Sequence, residues 1–255
     1  FDYLKPDGVI VLNGNDDKLS GIEEVKGIRP VRYFVEDGTA ERMNDFYYVT
    51  ADSIENHGLK GMEAVLHFPE ADCRIHEPIP GVHNIYNACA AACVGHAMGL
   101  ERSEICAGIS HAKTIAGRTN LIETGGIMII DDCYNANPVS MRASLDVLAL
   151  AEGRKIAVLG DMGELGENEK ELHRQVGAYA AEKQIDLVLC AGELSAALAE
   201  AAKDGCETVH YDTREALTEG LLSRIRPGDT VLVKASHFME FPKIVTALRD
   251  AAEKK

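Results

Sequence analysis

The sequence predicts an α/β protein built from two successive domains, and three observations support this prediction. Its 255 residues can bury a substantial core and lie near the length at which one core usually divides into two. Residues 31–76 alternate apolar and polar positions between polar or glycine-containing turns, which is typical of short antiparallel strands. From residue 121 onward, short apolar runs alternate with amphipathic helical stretches, which indicates a doubly wound parallel sheet.

The N-terminal part is predicted to contain strands first and helices later. The first five residues resemble the end of a helix, and a Pro-Asp-Gly turn then leads into an apolar strand over residues 9–12. The alternating strands follow, and Pro80 and Gly81 mark their end. Two helices are predicted after these residues, over 84–98 and 101–111.

The C-terminal part is predicted to repeat a strand and a helix five times. The strand-like runs are IMII, KIAVLG, LVLCAG, TVHY and TVLVKAS. Helices over residues 138–151 and 167–183 follow the first two runs. The loop TIAGRTN precedes this pattern, so we place the domain boundary at residues 116–118 and predict domains over 1–116 and 117–255.

Composition and charge exclude several kinds of partner. With 26 Lys and Arg residues against 41 Asp and Glu residues, the formal net charge is −15. This charge repels phosphate backbones and anionic lipid head groups, so we expect no nucleic-acid partner and no membrane partner. The sequence has no signal peptide and no apolar run of about 18 residues. We expect a cytoplasmic monomer that binds small molecules.

The seven cysteines are predicted to be reduced thiols, because their number is odd and they are scattered among apolar residues. Cys89, Cys93 and His96 have the spacing of one helix face and could hold a metal ion. A fourth ligand is missing and alanines surround them. Core packing is therefore the preferred interpretation, and no metal site is predicted.

Polar loops follow several predicted strands and supply most candidate site residues. In a doubly wound sheet, ligands bind outside the carboxyl ends of the strands, where such loops converge. The loops read DDCYNANP after Ile130, DMGELGEN after Gly160 and KASHF after Val233. Their candidate residues are Asp131, Asp132, Tyr134, Asn137, Asp161, Glu164, Lys234 and Ser236.

Each of these loops also has a purely structural interpretation. Asn137 before Pro138 is a helix-start signature, which explains both residues without a ligand. In the second loop, Glu167, Asn168 and Glu169 could merely favour a helix N-terminus through its dipole, whereas Asp161 and Glu164 could contact an amine or a hydrated magnesium ion. His173 is spaced with small helical residues, which favours a buried structural role.

Three further polar residues precede or begin the second domain. Asn84 and Asn87 lie three positions apart on one face of a helical turn, and their amides suit a purine edge, although Asn84 could instead be a helix cap. Arg118 could bind a phosphate between the domains or lie on the surface. The sequences G-x-x-x-x-G-K-[ST] and G-x-G-x-x-G are absent, so tight triphosphate binding by this chain alone is not expected.

Taken together, PIPGVHNIYNACAAA, AGR, DDCYNANP, GDMGELG and VLVKAS resemble, in order and spacing, the motifs of the Mur ligases of peptidoglycan synthesis. The resemblance covers essentially the whole chain. It implies a partial central ATPase domain over residues 1–116, followed by a Rossmann-like C-terminal domain over 117–255. The chain is therefore expected to be an inactive fragment of a ligase.

The resemblance also implies a reaction and its cofactors. Family members with these motifs use ATP and Mg²⁺ to join D-alanyl-D-alanine to UDP-N-acetylmuramoyl-tripeptide through an acyl phosphate. The phosphate-binding loop and most magnesium ligands belong to a part of the family plan that this chain does not match. Residues carried over to the ATP side are Asn84, Asn87, Arg118, Asp132, Tyr134 and Asn137. Residues carried over to the dipeptide side are Asp161, Glu164, Lys234 and Ser236.

One departure and several alternatives stay open at this point. Ala235, His237 and Phe238 stand where many members read KGSR, which leaves the dipeptide contacts undetermined. The chain could belong to a ligase that adds another amino acid, including a folylpolyglutamate-type enzyme. It could also be a non-catalytic nucleotide-binding module.

Overall fold

The computed structural model describes residues 1–35 and 48–253. Residues 36–47, which belong to the predicted strand region 31–76, lie outside the described part. The chain divides into two compact units, Phe1–Lys113 and Thr114–Lys255. Each unit is described separately below.

The first unit contains a five-stranded sheet with mixed strand directions. Its strands, in the order in which they lie in the sheet, are β1 (Val11–Asn13), β2 (Val31–Val35), β3 (Tyr48–Asn56), β4 (Met62–His67) and β5 (Asp72–Glu77). β2 pairs in parallel with both β1 and β3, whereas β3, β4 and β5 pair antiparallel. The prediction of antiparallel strands throughout was therefore wrong for β2. A parallel crossover usually contains a helix, and residues 14–30 join β1 to β2 without one.

Two helices cover this sheet, close to their predicted positions. They are α1 (Val82–Ala97) and α2 (Arg102–Ser110). Glu101 and Glu104 form a capping box at the start of α2, which satisfies amides that the helix leaves unpaired. The apolar face of α1 packs on β2, β3 and α2. The first five residues form turns rather than the end of a helix, with Leu4 N donating to Phe1 O at 3.1 Å.

The cysteines of the first unit show one difference from the prediction. Cys73 on β5 and Cys106 on α2 are joined as a disulfide, so the prediction that all seven thiols are reduced was wrong for this pair. Their separation of 33 residues gives no sequence signal for pairing. Cys89 and Cys93 are free and lie fully buried in the core under α1. This position agrees with core packing.

The second unit contains a six-stranded sheet with helices on both faces. Its strands are β6 (Asn120–Thr124), β7 (Ile127–Asp131), β8 (Lys155–Gly160), β9 (Leu187–Ala191), β10 (Glu207–Tyr211) and β11 (Thr230–Lys234). They lie in the order β10-β9-β8-β11-β7-β6. The five strands from β7 to β11 run parallel, as predicted. β6 was not predicted, and it pairs antiparallel with β7 at one edge.

Five helices connect and cover these strands. They are α3 (Pro138–Ala149), α4 (Glu169–Glu182), α5 (Ser195–Ala202), α6 (Arg214–Leu222) and α7 (Pro242–Ala252). α3, α4 and α5 pack side by side, and α6 packs against α7. The strands contribute fully buried side chains between these layers, which form the apolar core. In the described residues, no helix combines the length and apolarity needed to cross a membrane.

Candidate functional site

Three polar loops meet at the carboxyl edge of the second sheet. Ser236, after β11, accepts a hydrogen bond from Gly163 N at 2.8 Å through its Oγ. The same hydroxyl donates to Ala136 O at 3.4 Å, and Ser236 N donates to Asp161 O at 3.0 Å. Ser236 is itself buried. It therefore joins the loops that follow β7, β8 and β11.

Asp132 and Lys234 form an ion pair beneath this edge. Lys234 Nζ donates to Asp132 Oδ2 at 2.6 Å and to Asn135 O at 3.1 Å. The lysine is 2% exposed, and the Asp132 side chain is 13% exposed. Asp132 also accepts from Thr119 N at 3.0 Å and from the Ser144 hydroxyl. Lys234 thus contacts the loop after β7 instead of the open surface.

The segment that begins the second unit is attached to the same loop. Asp131 Oδ2 accepts from Gly117 N at 2.9 Å, and Tyr134 N donates to Gly117 O at 3.0 Å. The guanidinium carbon of Arg118 lies 4.1 Å from the centroid of the Tyr134 ring, which is a cation–π contact. Both side chains are exposed, with Tyr134 at 53%. The His237 ring centroid lies 6.4 Å from that of Tyr134.

Asn137 serves as the N-cap of α3. Its Oδ1 accepts from Ser140 N at 2.8 Å, and Ser140 Oγ accepts from Asn137 N at 3.1 Å. Helix capping therefore accounts for the side-chain oxygen of Asn137 but not for its side-chain nitrogen. Asn137 is exposed, and its amide nitrogen remains on the surface beside the Tyr134 loop. In the same loop, Cys133 is buried, and burial raises the pKa of its thiol well above the ordinary range.

Asp161 anchors the start of α5 instead of facing solvent. Its Oδ1 accepts from Ser195 N at 2.7 Å and from Ser195 Oγ at 2.6 Å. Its Oδ2 accepts from Leu194 N at 3.3 Å. Glu164, by contrast, is exposed on the same loop and has a left-handed backbone with φ of 62°. Glu164 and Glu167 are therefore the carboxylates of this loop that a ligand could reach.

His173 is fully buried under the loop after β8, which matches its structural interpretation. Its Nε2 accepts from Met162 N at 2.9 Å, and its Nδ1 lies 2.7 Å from Glu169 O. Because a carbonyl can only accept, Nδ1 donates this hydrogen bond. Both ring nitrogens are therefore hydrogen-bonded to the backbone, and the ring supports the loop after β8.

Asn84 and Asn87 line a groove of the first unit between α1 and α2, with a volume of about 390 Å³. Asn84 is buried and donates to Pro80 O at 2.9 Å. Its Oδ1 accepts from Asn87 Nδ2 at 3.0 Å. Asn87 is exposed. Asn84 therefore orients Asn87, which presents its amide to the groove.

Glu77 lines the same groove and was missed by the sequence analysis. It is 4% exposed, and its Oε1 accepts from Ile79 N at 3.0 Å. Burial raises the pKa of this carboxyl to about 7, against a smaller opposing effect of that hydrogen bond. A signal existed, since strand alternation places Glu77 on the same face as the core residue Ile75.

Possible metal ligands cluster at one place in the described residues. One group of three has its ligand atoms within 4.8 Å of one another, Glu55, His57 and Glu63, and none of the three is buried. Arg74 donates to Glu55 at 2.9 Å and to Glu63 at 2.6 Å. This cation already compensates both carboxylates, so the group does not suit Mg²⁺. At the loop edge, Asp161 accepts three hydrogen bonds from Leu194 and Ser195, which leaves the exposed Glu164 and Glu167 as the other carboxylates of its loop.

The structure thus gathers eight of the ten predicted site residues around one sheet edge. Four of these eight are buried or partly buried, and they support the loops. Asn84 and Asn87 lie in the first unit. At the edge itself, the exposed candidates are Arg118, Tyr134, Asn137 and Glu164. The buried or partly buried candidates are Asp132, Asp161, Lys234 and Ser236.

Comparison with known families places both units in one class of α/β enzymes, the Mur ligases. Residues 1–95 match the Mur ligase middle domain, and residues 117–237 match the family described as Mur ligase, glutamate ligase domain. The chain belongs to the Mur ligase family.

Similar proteins agree with this assignment. The UDP-N-acetylmuramoyl-tripeptide--D-alanyl-D-alanine ligase of Escherichia coli (strain K12) is 32% identical over 98% of this chain and 54% of its own length. The ligase of the same name from Bacillus subtilis (strain 168) is 33% identical over 96% of this chain and 52% of its own. A crystal structure of MurF from Acinetobacter baumannii superposes with a TM-score of 0.82 at 29% identity, covering 98% of this chain and 53% of that one. The chain spans about half the length of these relatives.

Proposed function

We propose that this chain is part of an ATP-dependent ligase that joins D-alanyl-D-alanine to UDP-N-acetylmuramoyl-tripeptide in peptidoglycan precursor synthesis. Two relatives with the name of that ligase are 32% and 33% identical over nearly the whole chain. The observation that supports it best is the convergence of three polar loops beside the exposed Arg118 and Tyr134. We assign residues 1–116 to the central ATP-binding domain and residues 117–255 to the C-terminal Rossmann-like ligase domain, whose loops face both the nucleotide and the dipeptide.

The proposed reaction passes through an acyl phosphate. The terminal phosphoryl group of ATP is transferred to the carboxylate of the tripeptide, and ADP leaves. The dipeptide amine then attacks the acyl carbon, and the tetrahedral intermediate expels phosphate to form the amide. Charge neutralisation and in-line positioning are the main contributions that a protein can make to such a transfer.

The residues of this chain are given roles that suit their positions. Arg118 binds phosphate oxygens, because its guanidinium is exposed and held in place by Tyr134. Asp132 serves the ribose side by fixing the loop that carries Tyr134 and Asn137. Glu164 is the group that can meet the ammonium group of the dipeptide, while Asp161, Lys234 and Ser236 hold the loops around it. In the part of the chain that the structure describes, we assign no residue to magnesium, because Arg74 already compensates the carboxylates of the one cluster of possible ligands.

The test compares this chain with the polypeptide that the complete gene encodes. Both are incubated with ATP, UDP-N-acetylmuramoyl-tripeptide and D-alanyl-D-alanine, and ADP and pentapeptide product are measured. We expect product from the complete polypeptide and none from the chain alone, because the phosphate-binding sequence is absent from it. Turnover by the chain alone would refute the second expectation. A substrate panel with lysine, diaminopimelate and glutamate separates this reaction from those of other ligases.

A further inference from the structure

The groove between α1 and α2 has the shape and lining of a small-ligand site. Its volume of about 390 Å³ lies within the usual range of roughly 300–1,000 Å³ for such sites. Ala88, Ala91 and Gly95 form a wall of small residues on α1, and Ile105 and Ile109 face it from α2. Two apolar walls with few polar groups suit a flat aromatic ring.

Asn87 supplies the first polar group of this groove. One of its amide hydrogens is used on Asn84, which is in turn held by the Pro80 carbonyl. Within the described residues, no hydrogen bond is formed to Asn87 Oδ1. An oriented amide with a free acceptor and a remaining donor matches a purine edge.

Glu77 supplies the second polar group. It is buried, and one of its oxygens accepts a single backbone hydrogen bond from Ile79. Burial is the largest effect on the pKa of its carboxyl group, and no cation among the described residues contributes to that pKa. The ionisable groups nearby are Glu104 of α2, which lines the same groove, and His83 of α1, which lies 3.2 Å from Asn84. β4 places the apolar Met62 opposite Glu77.

We propose that Glu77 is a specificity-determining residue of this groove, which recognises the amino group and the adjacent ring nitrogen of adenine. This proposal rests on the proposed function, in which the chain binds ATP. A neutral carboxyl group accepts a hydrogen bond from the exocyclic amine through its carbonyl oxygen and donates one to the ring nitrogen through its hydroxyl. Because Glu77 Oε1 accepts from Ile79 N, the proton of the neutral carboxyl lies on Oε2, which fixes the positions of its acceptor and its donor. A 6-oxopurine presents an acceptor and a ring N–H in the reverse order, so it does not match these positions.

The experiment measures binding of adenosine and of inosine to the purified chain by NMR titration. The unmodified chain should bind adenosine about three- to tenfold more tightly than inosine, the effect of about one hydrogen bond. Glu77→Ala should bring the two affinities together. Glu77→Gln keeps the shape and offers both a donor and an acceptor, so it should retain the preference. Glu70→Gln, in the exposed turn between β4 and β5, is the control and should change nothing.

A pH series adds a readout that a packing defect would not produce. Ionisation of Glu77 removes its donor, so adenosine affinity should fall as the pH rises through about 7. The Glu77→Gln variant should show no such fall. An unchanged adenosine preference in Glu77→Ala, or the same pH profile in Glu77→Gln, overturns the role of Glu77. If adenosine shifts no resonance of α1, both the nucleotide site and the role of Glu77 are refuted. If adenosine and inosine bind equally well, only the role of Glu77 is refuted.

Discussion

At the residue scale, Lys234 holds the loop after β7 through one ion pair and two carbonyl contacts. Its ammonium donates to the carboxylate and carbonyl of Asp132 and to the carbonyl of Asn135. A buried ammonium is costly unless every donor is satisfied, and this arrangement supplies three acceptors. The lysine therefore acts on the ligand surface through the loop that it supports.

Replacing Lys234 by methionine should destabilise the protein strongly. The change leaves the Asp132 carboxylate without its cation, and breaking such a buried pair costs about 3–5 kcal/mol. Urea denaturation measures this loss as a change in the free energy of unfolding. Lys243→Met is the matched control, because Lys243 is exposed and pairs with an exposed glutamate. Similar losses in both variants would contradict the assignment.

The sequence identified which residues belong to this edge but not how they pair. Lys234 and Asp132 lie 102 positions apart, and nothing local in either motif indicates that they contact each other. Each loop was therefore interpreted separately, and Lys234 was expected to face a ligand. The buried position of Glu77 could have been predicted, since alternation along β5 points it inward with Ile75. A polar residue at an inward position is the signal that was not used.

At the element scale, the start of α5 depends on a close approach between two loops. Gly192 has φ of 120°, a conformation that side chains rarely allow. A Cβ atom there would lie 2.3 Å from Asp161 Oδ1, the oxygen that accepts from Ser195. Position 192 thus requires glycine for two reasons, its positive φ and the close approach of the Asp161 carboxylate.

The variant Gly192→Ala should therefore lose stability and loosen α5. Backbone strain of this type costs about 1–3 kcal/mol, and displacement of Asp161 adds to it. Thermal unfolding followed by circular dichroism, with hydrogen exchange of the α5 amides, measures both effects. Gly21→Ala serves for comparison, because a Cβ atom there meets nothing within 4 Å. An unchanged melting temperature in Gly192→Ala would argue against the close approach.

The helices and strands were predicted correctly where the apolar periodicity is strong. The prediction failed where pairing with distant strands determines the strand or its direction. The five parallel strands and the helices between them have clear apolar runs and amphipathic stretches. β6 was missed because its five residues have no buried member and its turn is only Gly125 and Gly126. Those glycines both have positive φ, which suits a two-residue hairpin and could have revealed it. The direction of β2 depends on long-range pairing that no local pattern encodes.

At the scale of the whole molecule, each unit has an apolar core of its own. The first is built from β2 to β5 with α1 and α2, and the second from the parallel strands with α6 and α7. A core that closes within one stretch of chain can fold without the other stretch.

Residues 114–255 expressed alone should therefore fold. We expect a cooperative urea transition in which far-ultraviolet circular dichroism and tyrosine fluorescence coincide, as for a single domain of this size. Transitions that separate, or a spectrum without fixed tertiary structure, would show that the second core is incomplete. The NMR spectrum of the isolated stretch, compared with that of the whole chain, provides an independent check.

The two borders of the second sheet also influence behaviour at high concentration. β6 and β10 are the outermost strands, each five residues long, and each carries an exposed glutamate, Glu123 or Glu207. Outer strands can recruit another chain through their unpaired amides, and short, charged strands discourage this. Two copies aligned along such borders would bring carboxylates together on molecules that already have a net charge of −15. The net charge decreases in magnitude as the pH falls toward the isoelectric point of about 5.0, so self-association into extended sheets should become easier.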